Sequence, residues 1–156
     1  MKRLMLAVAF ACAALTPAHG QAQTESAAAR HDVDVERIVS PSGIEAWLVS
    51  DATVPMVVMR AYWRGGSASE PENLIGVTSV MADMLTEGSG AMNANAFKER
   101  LQDLNMSLSF GAGWDGVGMS LTTLSENRDA AFEMARVALH EPRFDAEPLA
   151  RIKRQM

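Results

Sequence analysis

Ser79 and Asp83 stand four residues apart, with Ala82 next to the second of them, in the run Gly76-Val77-Thr78-Ser79-Val80-Met81-Ala82-Asp83-Met84-Leu85-Thr86-Glu87-Gly88. At about 100° per residue, that spacing sets the Ser79 and Asp83 side chains beside one another on a single helix face. Two donors at i, i+4 are what a helix offers a metal ion, and a carboxylate at the adjoining position would take the proton from a metal-bound water. The donors here are meagre. Asp83 can ligate, Ser79 is a poor zinc ligand at neutral pH, and Ala82 cannot accept a proton. The plain reading is a small polar patch of Ser79, Ala82, Asp83 and Thr86 on a solvated face. Leu74, Val77, Val80, Met81, Met84 and Leu85 then form the buried face opposite.

Other residues that could carry chemistry add little. Of the three histidines, His19 and His31 lie near the N-terminus and His140 ends a helical stretch, where a contact with the helix dipole explains it. A triad of Ser79, His140 and Asp83 has no nucleophile-elbow sequence to support it. The single cysteine, Cys12, falls in an apolar leader, so no disulfide, thiol nucleophile or zinc knuckle is expected in a mature chain. Tyr62, Trp63 and Trp114 could line a peptide groove, but packing is the ordinary role of such residues. Tyr62 and Trp63 alternate faces of one strand, so at most one points to the core. Met56, Met59, Met81 and Met84 suit adaptable core filling better than metal binding.

The elements that must position these residues follow from periodicity. Val35 to Val39 and Ile44 to Val49 alternate apolar and polar across Ser40-Pro41-Ser42-Gly43, which predicts a hairpin. Val54 to Trp63 is the longest β-branched and aromatic stretch and reads as a central strand, followed by a polar loop over Ser67 to Asn73. After the Gly76 helix, Asn93 or Asn95 can cap a second helix in which Phe97, Leu101 and Leu104 recur, with Asn105 ending it. Met106 to Ala112 and Val117 to Leu124 form a second hairpin across Gly113-Trp114-Asp115-Gly116. Ser125 or Asn127 starts a third helix with Ala131, Met134, Val137 and Ala138 inward, and Pro142 stops it. Phe144-Asp145-Ala146-Glu147-Pro148 opens a fourth. The order predicts an α+β fold, a largely antiparallel sheet with helices packed on one face.

The chain has 156 residues, 48% of them apolar and 21% charged, which suits one modest globular domain. Its net charge of −5, with scattered acidic residues, argues against nucleic acid or an anionic membrane as the main partner. Lys2 and Arg3, the apolar run from Leu4 to Leu15 and the small residues around Ala18, Gly20 and Ala22 read as a secretory signal peptide over 1–22. That apolar run is too short to span a bilayer, so no stable membrane anchor is expected. Ala9 stands where a lipoprotein signal would carry a branched apolar residue. Residues 23–32 read as a flexible lead-in and 33–156 as the folded part.

The Gly-led helix, its apolar spacing and the Gly88-Ser89-Gly90 exit resemble the active-site helix of the insulinase/pitrilysin-type metallopeptidases. That helix reads roughly G-x-x-H-x-x-E-H-M before a Gly-containing turn. On this chain the first His falls on Ser79, the Glu on Ala82 and the second His on Asp83, and Met84 matches the residue after the motif. The segment Leu121 to Phe132 and the Pro142-Arg143-Phe144-Asp145 turn are similar to the family's strand-to-helix pattern, so the resemblance runs from about Val35 to Met156. It implies a peptidase fold whose zinc motif has been lost, with no metal or other cofactor expected although active relatives carry zinc. It also implies an exported, periplasmic, non-catalytic subunit that pairs with an active sibling and helps to hold peptide substrates by adding a strand to a sheet edge. The Trp114 hairpin is a candidate for that edge. The family's third ligand, a Glu, would fall shortly beyond Met156, and the uncapped last helix reads as a truncated first part of the N-terminal peptidase domain. Two other readings stay open: a live zinc peptidase with a non-standard ligand set using Asp83, and a periplasmic binding or scaffold module.

Overall fold

The computed structural model describes residues 33–155; the signal and lead-in readings, with Cys12, His19 and His31, lie outside them. The chain divides at Ser50 and Asp51 into two units. In the first, β1 (Val35–Val39) pairs antiparallel with β2 (Glu45–Val49), so the hairpin expected there is present. Its turn closes through Ser40, whose carbonyl accepts from Gly43 N–H (2.9 Å) and whose hydroxyl accepts from Ile44 N–H (2.9 Å). Arg37 forks onto Glu45, with both N···O distances 2.8 Å, and the Trp47 indole N–H donates to the same carboxylate (2.7 Å). Those donors hold the Glu45 carboxyl down at about 2, the Arg37 guanidinium first and Trp47 second.

The second unit is built on β3 (Met56–Arg64), β6 (Ser107–Ala112) and β7 (Gly116–Leu124), an antiparallel sheet in the order β3-β7-β6. Side chains alternate along each strand, as a sheet with one covered face requires. Val117, Met119, Leu121 and Leu108 are buried, while Ser107, Ser109 and Gly111 face away. The helices α2 (Ala94–Asp103) and α3 (Arg128–His140) supply the other half of the core through Phe97, Ala131, Met134, Ala135 and Ala138. Leu121, fully buried at the centre of β7, contributes about 1.5–3 kcal/mol by leaving water. Asn93 caps α2, accepting from Ala96 N–H (3.0 Å), and Asn105, at φ 45°, turns the chain out of it. Asn127 stands at the N-cap of α3, as expected, but without a side-chain cap bond; its amide and the Thr123 hydroxyl both donate to the Leu104 carbonyl, tying the end of α2 to β7.

Two short strands escape the periodicity reading because they have no period to show. β4 (Gly88–Ser89) pairs with β5 (Met92–Asn93), and Ser89 also bridges to Pro142. The α+β arrangement of antiparallel strands with helices on one face is as expected. Tyr62 and Trp63 are both exposed, however, so neither serves the core. Met56 is exposed as well, whereas Met84 is buried and Met59 and Met81 are half-buried.

Candidate functional site

The helix that carries Ser79, Ala82 and Asp83 is α1 (Val77–Met84). Gly76 precedes it at φ 91°, a left-handed backbone open to glycine and strained for other residues. The first turn is capped from a distance. Glu70 accepts from Gly76 N–H and Thr78 N–H, each at 2.7 Å, placing a negative charge at the positive end of the helix. The Thr78 hydroxyl, with those two backbone groups, holds the Glu70 carboxyl below its ordinary value.

The faces of α1 differ from the helical-wheel expectation. Ala82, assigned to the solvated face, is 1% exposed, because α1 lies against β6 and turns that methyl inward. Leu74 and Val77, assigned to the buried face, are about half exposed and open onto a shallow apolar groove with Val80 and Leu149. The wheel was right for Met84 and Leu85, both buried, and for Asp83, which is exposed. A helix of eight residues meeting a strand on one side and another helix on a second cannot be split into one wet and one dry half.

Beside α1, α4 (Ala146–Gln155) and β6 close a cavity of about 320 Å³ that includes Ala82, Asp83, Phe110 and Arg151 in its walls. Glu87, which composition and spacing did not single out, also lines this cavity. It is 7% exposed and receives Lys98 Nζ at 3.1 and 3.2 Å and Arg151 Nη2 at 2.5 Å. The carboxylate thus joins α2 and α4 to the end of α1. No sequence signal marked Glu87, since its partners lie 11 and 64 residues away.

The donor set does not fit zinc. The helix presents one carboxylate, one hydroxyl and one buried methyl, and α4 brings a guanidinium rather than a carboxylate to the same cavity. Among the described residues no group of three or more His, Cys, Asp or Glu side chains is placed to share an ion. His140, at the C-terminal end of α3, is exposed and lines none of the α1 cavity.

β6 is hydrogen-bonded to β7 on one side only. Gly113 N–H donates to Gly116 O (2.8 Å), and in the register set by Ala112↔Val117 this makes Gly111, Ser109 and Ser107 the residues bonded to β7. Leu108, Phe110 and Ala112 therefore turn their N–H and C=O groups outward, and no other described backbone group engages them. Leu108 and Phe110 also wall the α1 cavity. The edge expected near the Trp114 hairpin is thus β6 itself; Trp114 is at the exposed turn.

No family model matches the chain. The non-peptidase homolog YmxG of Helicobacter pylori is 27% identical over 103 residues, which are 66% of this chain and 24% of that protein. The crystal structure of a peptidase M16 inactive domain from Pseudomonas fluorescens superposes with a TM-score of 0.73 at 28% identity, covering 79% of this chain and 30% of that one. The chain therefore spans about a quarter to three tenths of the length of these two. Both are named as lacking peptidase activity, and the fold here is that of an M16-like inactive domain.

Proposed function

We propose that this chain is part of an exported, catalytically silent insulinase-like subunit that pairs with an active zinc peptidase and helps to hold the peptide. The observation that carries the reading is the combination on one side of the second unit. The helix frame is kept while Ser79, Ala82 and Asp83 stand at its chemical positions, and the open edge of β6 runs beside it. An edge of that kind binds an extended chain by main-chain hydrogen bonds, which need no catalytic group. The likeness to two proteins named as inactive supports the silent half of the reading. Export and periplasmic location rest on the leader at 1–22.

Two measurements test it. An extended peptide N-methylated at alternate residues should lose binding in one register and keep it in the other, since only one set of its N–H groups faces β6. Binding indifferent to both patterns refutes the edge mode. Co-expression with a sibling carrying an intact H-x-x-E-H should yield a complex whose peptidase activity exceeds that of the sibling alone. Stoichiometric zinc in this protein alone, lost in Asp83→Ala together with peptide cleavage, would instead establish a live enzyme.

A further inference from the structure

In a strand laid antiparallel on β6, alternate side chains project to the side on which Leu108 and Phe110 lie, and that side opens into the α1 cavity. The cavity wall is not electrically uniform. Glu87 and Arg151 are committed to one another, with Lys98 holding the same carboxylate. Asp83 differs: its carboxylate has no ion pair or side-chain hydrogen bond among the described residues, and it is exposed on the cavity wall. Thr86 and Gln155 add neutral polar groups, and Ala82 with half-buried Phe110 offers an apolar flank. A long aliphatic stem ending in a cation matches that order of surfaces.

We infer that the cavity between α1, α4 and β6 receives a Lys or Arg side chain of the bound peptide, its cation seated on Asp83. The inference rests on the peptide-holding reading above and adds the class of peptide. It assigns Asp83 a positive task as a specificity-determining residue. An acidic side chain at the same place meets a like charge and is disfavoured.

The experiment uses three labelled peptides, identical except for Arg, Gln or Glu at one central position, titrated by fluorescence anisotropy against the protein and its Asp83→Asn variant. The wild-type protein should bind them in the order Arg, Gln, Glu, with Arg over Gln by roughly fivefold at low salt, the size expected of a partly exposed ion pair. The preference should shrink as salt rises. Asp83→Asn should bring the Arg and Gln peptides together, chiefly by weakening the Arg peptide. Equal binding of Arg and Gln peptides by the wild type, or a preference that survives in Asp83→Asn, overturns the inference while leaving peptide holding intact. Failure to bind any of the three overturns both.

Discussion

Glu87 keeps a carboxylate at a site only 7% exposed, so the two cations around it determine whether the charge is tolerated there. Lys98 and Arg151 are themselves 49% and 36% exposed in their side chains, and water screens much of the gross attraction. Removing either cation alone leaves Glu87 with the other. Lys98→Ala and Arg151→Ala should therefore each cost about 1–2 kcal/mol, between exposed and buried pairs. Removing both leaves an unpaired buried carboxylate, and the double variant should lose about 4–5 kcal/mol. The excess over the sum, about 1–2 kcal/mol, is the measurable coupling. Adding Glu87→Leu to the double variant removes the stranded charge and should restore about 1–3 kcal/mol, since a buried ion network can be exchanged for apolar side chains. Urea unfolding followed by far-ultraviolet circular dichroism gives these differences, with the m-value showing that the states compared are alike. Additivity of the single losses within about 0.5 kcal/mol, or no recovery on adding Glu87→Leu, would refute the claim that Glu87 depends on both partners.

Three further outcomes follow. Gly66→Ala should destabilise by about 1–3 kcal/mol, because its methyl overlaps Gly113 O, Gly116 N and Trp114 O, while Gly111→Ala, with open space around it, should stay within about 0.5 kcal/mol; thermal melts compare them. The folded value of Glu70 is depressed, so its support for α1 is complete above the unfolded carboxylate value of about 4.3 and is lost as pH falls through the lower folded value. Urea titrations from pH 7 to pH 3 should show a steeper acid loss in the wild type than in Glu70→Gln. Ser79→His, Ala82→Glu and Asp83→His combined should yield no zinc-dependent cleavage of a fluorogenic peptide, since α4 brings the Arg151 guanidinium rather than a third ligand to the cavity.

Hairpins and longer helices were legible because their signals are local. Asn93, Asn105 and Pro142 marked boundaries where they stand, and alternation along β6 and β7 gave their faces. What depends on distant neighbours was not legible. Nothing in the spacing of α1 told that β6 would take Ala82 while Leu74 and Val77 stayed open, or that Glu87 would meet Arg151. Identification of β6 as an edge needed the strand order. The replaced positions Ser79, Ala82 and Asp83 were legible from the helix frame, whereas the cavity that surrounds two of them was not.

Natural sheets blunt a bare border with lysine, proline or a bulge, and Ser-Leu-Ser-Phe-Gly-Ala of β6 contains neither residue. Such a strand is a template for any extended segment that drifts past, including its own duplicate in a concentrated sample. Produced without a companion, the protein is thus expected to clump as concentration rises, and a short soluble strand mimic should keep it dispersed.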